Sequence, residues 1–124
     1  MELIAYLAAL LLALFNGKLV AGAISGIVIT PLAKPFERLA LIKRYIVPFV
    51  QGLFMGAVAL YTARWFLEWV KLNLGLPFVI VLALCLVVIN SILMRNPAER
   101  HFHASACTGE LTALIILAFH LSLT

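Results

Sequence analysis

Polar side chains are sparse along this chain, and they divide it into apolar runs joined by short basic connections. Residues 3–15 are apolar, Asn16-Gly17-Lys18 interrupts them, and residues 19–33 are apolar again. Each piece falls short of the roughly 20 residues a helix needs to cross a bilayer, and together they exceed that length. The first piece can lie at the interface while the second crosses, the two can form a half-depth hairpin, or one long helix can cross with a break. A single crossing broken at Asn16-Gly17 is the favoured expectation, because Gly17 supplies backbone freedom and Lys18 can snorkel or pair. Left unpaired in mid-membrane, Lys18 would cost on the order of 2.5–3.5 kcal/mol. Thr30-Pro31 and Lys34-Pro35 end this span, and Pro35-Phe36-Glu37 opens a basic interfacial helix over residues 35–44.

Three further spans follow at about 45–67, 76–94 and 103–123. Pro48 removes a backbone donor and is expected to bend the start of the first of these. Trp65, Trp69 and the Arg64/Glu68 pair close it as an aromatic belt with snorkelling charges. The next starts at Leu76-Pro77 and stays apolar until Asn90 and Ser91. The last opens with Asn96 as N-cap, Pro97 in the first turn and Glu99 at the third position. The expected fold is an all-α integral membrane protein. It is a four-transmembrane-helix bundle with a broken or extended first helix, forming a single membrane domain over residues 1–124. If residues 3–15 cross separately, the spans number five and the N-terminus changes sides.

Composition supports this reading. Of 124 residues, 65% are apolar and 11% charged, and the mean hydropathy of +1.16 lies outside the soluble range. Nine Lys and Arg against five Glu leave a net charge of +4. That balance would suit nucleic acid, but these bases sit between apolar spans, where they read as topology signals and lipid contacts instead. Lys34, Arg38, Lys43 and Arg44 in the first connection and Arg95 and Arg100 in the third are the expected headgroup contacts. The second connection has Arg64 and Lys71 offset by Glu68. By the positive-inside rule the first and third connections are cytoplasmic and both termini face outward, in what reads as a prokaryotic inner membrane. Glu2 stands where a signal peptide would carry a base, so the N-terminal run is expected to stay in the mature protein. Cys85 and Cys107 both fall in apolar spans, which argues against a structural disulfide.

The candidate chemistry concentrates in the last helix. Glu99, His103, Cys107 and Glu110 are spaced four, four and three apart, which places them within about one quadrant of a helix. Glu110 lies about 10 Å beyond His103 at 1.5 Å per residue. A carboxyl group inside an apolar layer marks a functional site by default, able to take up and release a proton or a cation. His103, Lys18, Gln51 and Asn90 are the groups expected to line its route. Depth counting separates Lys18 from Glu110 by about 10 Å along the membrane normal. The competing expectation makes Glu110 a neutral hydrogen-bonding link between helices. Glu99, His103, Cys107 and Glu110 also form a candidate ligand set for zinc or a similar metal. His120 is either interfacial or an axial haem ligand, and the pattern implies no particular cofactor.

Gly22 and Gly26, and Gly52 and Gly56 followed by Ala59 and Ala63, form seams for close helix packing. They serve contacts within the subunit or an interface between subunits. Four short helices enclose little by themselves, so a homo-oligomer or a partner membrane subunit is expected. Pro35-Phe-Glu37-Arg38 and Pro97-Ala-Glu99-Arg100 form a faint repeat, which capping alone also explains.

The run Glu99-Arg100-His-Phe-His103-Ala104-Ser-Ala-Cys107-Thr-Gly-Glu110 resembles the Glu-Arg…Ala…Asn…Glu run of the MAPEG family, four-span trimeric enzymes of glutathione and eicosanoid metabolism. Glu99, Arg100, Ala104 and Glu110 match. His103 stands where that family usually has Arg and Cys107 where it has Asn, and the run precedes the last span rather than opening the second. These departures remove residues expected to bind glutathione, so that activity is not carried over. No nucleotide loop, nucleophile elbow or Cys-x-x-Cys occurs. The leading expectation is an oligomeric transporter or channel for an ion or small solute. A non-catalytic subunit or anchor is the first alternative, and a membrane enzyme or metal protein using the last-helix stripe is the second.

Overall fold

A computed structural model of the chain describes residues 2–36 and 45–122. Helix α1 (Glu2–Ile24) continues through a π-helical turn at Ser25–Ile29 into the short α2 (Thr30–Ala33) and a 3-10 turn at Lys34–Phe36. Helices α3 (Val47–Trp69) and α4 (Leu76–Leu93) come next, and a 3-10 turn at Pro97–Glu99 leads into α5 (Arg100–His120). No strand occurs among the described residues. The expected Arg38, Lys43 and Arg44 headgroup contacts, the interfacial helix beyond residue 36, the first copy of the faint repeat and the chain beyond Ser122 lie outside the described residues.

Three stretches, Glu2–Ile29, Leu76–Leu93 and Pro97–His120, are long and apolar enough to cross a membrane. Helix α3 is as long as α1 but is not among them. It carries Gln51, Thr62, Arg64 and Glu68, and it is the helix that packs most extensively, against α1 on one side and α5 on the other. Because other helices cover more of it, it needs a less apolar surface.

The first helix departs from expectation in where it is irregular. It runs unbroken through Asn16-Gly17, and the change of winding falls at Ser25–Ile29. Gly17 serves close approach, not flexibility: a Cβ there would lie 3.2 Å from both the Ala59 Cβ and the Met55 carbonyl oxygen. Asn16 donates across the same contact to the Thr62 hydroxyl at 2.7 Å. Ala9, Ala13, Gly17 and Ala21, four apart, are all buried on this face. That small-residue line brings α1 against α3.

The opposite face of α3 meets α5 in the same way. A methyl group on Gly52 would run into the Ala106 carbonyl, and one on Gly56 would lie 2.7 Å from the Glu110 carbonyl oxygen. Gly109 answers from α5 against the backbone of Phe49. Gly22 and Gly26 have open space where a Cβ would stand, so within this chain they make no such seam. Between the helices, Leu60, Leu67, Leu82, Leu86 and Leu114 are fully buried.

The helix ends obey local chemistry. Pro48 falls in the first turn of α3, where a missing N–H goes unnoticed. Asn96 caps the turn into α5, its side chain accepting from the Ala98 amide at 3.1 Å. Arg64 and Glu68 pair at 3.1 Å near the exposed Trp65 and Trp69. Helix α3 ends with Lys71 at φ 62°, and the Leu72 amide turns back to the Leu67 carbonyl at 2.7 Å. Tyr6 then ties the start of α1 to the loop before α4, donating to the Asn73 carbonyl at 3.2 Å.

Candidate functional site: a polar cavity among the helices

Close packing of α3 on α5 sets the position of Glu110. Gly52 and Gly56 press on the backbone of α5 at Ala106 and at Glu110 itself. The carboxylate turns away from that contact and is 4% exposed. One of its oxygens, Oε2, accepts from the Asn90 amide of α4 at 2.8 Å. The second hydrogen of the same amide goes to the Leu86 carbonyl, also at 2.8 Å. An amide that donates twice in a buried place is fixed in orientation. Burying a carboxyl group against apolar helices is tolerated where such a donor is supplied.

The other oxygen, Oε1, takes no hydrogen bond from the described residues, and no described buried side-chain nitrogen or oxygen lacks a partner. Oε1 therefore opens onto free space. That space is a cavity of about 330 Å³. Lys18 of α1, Gln51 of α3, Asn90 of α4, and His103 and Glu110 of α5 all line it. These five are the groups the sequence marked for a polar route, and four separate helices deliver them to one place. Lys18 and Glu110, about 10 Å apart by depth counting, share the same walls. Lys18 makes no ion pair among the described residues.

The remaining lining was not evident from the sequence. Ser25, in the π-helical turn, accepts a hydrogen bond from the Gln51 amide. Met55, Leu93 and Phe102 give the cavity an apolar side. A serine in an apolar run is a weak sign alone, and its pairing with Gln51 depends on the change of winding, which no residue pattern announced.

The fourfold stripe on α5 divides. His103, Ala106 and Glu110 face the cavity, whereas Cys107 is buried outside it. Glu99 is exposed at the mouth, its carboxylate 3.3 Å from the His103 ring nitrogen. Among the described residues no three His, Cys, Asp or Glu side chains come together as a ligand set. The candidate metal group Glu99, His103, Cys107 and Glu110 is thereby corrected to a Glu99–His103 pair with Glu110 deeper on the same face. His120 is exposed near the end of α5. Lys34, Arg95 and Arg100 are exposed beyond the apolar stretches, and Arg100 also donates to the Met94 carbonyl at 3.4 Å.

Fold and site together define an all-helical bundle with three helices fit to cross a membrane and a charged cavity between them. No protein-family model matches the chain, and no curated protein or solved structure matches it either. The resemblance of residues 99–110 to the MAPEG run thus has no support outside those twelve positions.

Proposed function

We propose that this chain is a small multi-span membrane protein that carries an ion or small solute through the cavity, with Glu110 as the group that takes up and releases a proton or cation. The observation behind this reading is the convergence of Lys18, Gln51, Asn90, His103 and Glu110 from four helices on one space. Polar groups scattered through apolar helices for packing alone would pair off locally. Here one oxygen of the buried Glu110 carboxylate takes no hydrogen bond from the described residues, and Lys18, exposed and without an ion pair among them, lines the same cavity. Sites of this kind mark routes for ions and protons in membrane proteins. In this reading α3 crosses as the fourth span, with Lys34, Arg95 and Arg100 on the cytoplasmic side and both termini opposite.

Purified protein in lipid vesicles with an internal pH dye gives the test. A pH step should drive proton flux well above that of empty vesicles. Glu110→Gln keeps the shape and the Asn90 contact but cannot ionise, so flux should fall to the empty-vesicle level while the protein still purifies as a folded helical species. Flux unchanged in Glu110→Gln would overturn the reading.

A second reading, a docking subunit for another membrane chain, is favoured by Gly26, which lies outside the cavity and beside which a close-packing partner would find open space. Co-purification of a partner lost in Gly26→Leu, with flux absent from the wild type, would select it.

A further inference from the structure

The cavity has an electrical peculiarity that the carrier reading alone does not use. It holds one carboxylate and one ammonium, Glu110 and Lys18, on walls contributed by different helices, and the two make no ion pair within 4.0 Å. Glu110 is 4% exposed, so its charge is costly unless compensated, whereas Lys18, which lines the same cavity, is exposed. A ligand that answers Glu110 alone leaves the Lys18 ammonium free to hold a second group. Water can answer both weakly, whereas a molecule carrying both charges answers both at once.

The local geometry gives each end its own chemistry. On the acidic side, Glu110 Oε1 accepts nothing among the described residues, and neither does the Asn90 amide oxygen, because Asn90 directs both hydrogens to Glu110 and Leu86. With no described buried polar atom left unpaired, both oxygens are open acceptors suited to an ammonium group. On the basic side, the Lys18 ammonium offers donors to a carboxylate. Met55, Leu93 and Phe102 supply apolar wall to the same cavity. A volume of about 330 Å³ lies at the small end of ligand sites, roughly 300–1,000 Å³.

Resting on the carrier reading, we propose that the solute is a small zwitterion of the amino-acid class with a short apolar side chain. Its ammonium sits on Glu110 and Asn90, and its carboxylate on Lys18. A proton on Glu110 then competes with the ammonium for the same oxygen, so solute and proton exchange at one site.

Three related probes test this on purified protein at neutral pH: labelled alanine, with unlabelled propionate and ethylammonium, which each lack one of its charged groups, as competitors. Alanine should bind, and each competitor, having lost one charge, should be at least tenfold weaker than unlabelled alanine. Lys18→Met should weaken alanine at least tenfold yet leave ethylammonium unchanged, and Lys18→Arg should recover most alanine binding. The wild-type comparison stands even if the variants fold poorly. Ethylammonium binding as well as alanine would make this a plain cation site, and propionate doing so a plain anion site; either overturns the proposal, as does a failure of alanine to bind. Proton flux in wild-type vesicles separates the two levels. Flux without alanine binding rejects the zwitterion alone, and absence of both rejects the carrier reading as well.

Discussion

Asn90 is the residue whose importance is easiest to underrate. It stands near the end of an apolar helix, where an amide passes for an interfacial group, yet it is 4% exposed and holds Glu110 with one hydrogen and its own helix with the other. Replacing it by leucine leaves a buried carboxyl group without its donor, a loss of about 1–3 kcal/mol. Asn90→Leu should therefore lower the thermal midpoint in detergent, while Ser91→Ala on the exposed neighbouring face should not. The sequence made Glu110, Lys18, Gln51, Asn90 and His103 visible for one physical reason: a polar group in an apolar run is expensive, so each such group needs a partner or a purpose. It did not reveal which groups meet. That depends on how far each helix is rotated about its axis, and the nearly uniform apolar surfaces of α1 and α4 leave that rotation unmarked.

At the scale of elements, rotation is set by small residues. Ala9, Ala13, Gly17 and Ala21 were present in the sequence at a spacing of four, but the alanines blend into an alanine-rich helix, and Gly17 beside Asn16 invited reading as a break. The glycine pairs were legible as seams and turned out unequal: Gly52 and Gly56 are filled by α5, while Gly22 and Gly26 are bare. Single alanine substitutions should separate them. Gly52→Ala and Gly109→Ala place a methyl group against backbone, so overpacking should destabilise the bundle by about 1–3 kcal/mol or more. Gly22→Ala and Gly26→Ala meet nothing in the chain and remove a flexible residue from helical backbone, a change worth roughly 0.5–1 kcal/mol in the stabilising direction. Unfolding of purified protein in detergent measures both. If Gly26→Ala is destabilising instead, another chain occupies that face.

For the molecule as a whole, three helices fit to cross a membrane and a fourth packed between two of them give a topology that side-specific labelling can check. Cysteines introduced at Lys34 and Arg95 should react with an impermeant maleimide from one side of sealed vesicles, and one at Lys71 from the other. Reaction of all three from the same side would contradict four spans. The native Cys85 and Cys107, inside apolar helices, give little background. The wide turn at Ser25–Ile29 has its own bearing on how such a chain tolerates change. A π turn holds one more residue than regular winding requires. Deleting a single residue elsewhere in α1 would twist one half of its packed face about 100° out of line with the other. Within this turn the same deletion restores ordinary winding and leaves both residues 2–24 and the short α2 beyond them in phase. Length variation in the first helix therefore has one place where the bundle can absorb it, and that place borders the cavity.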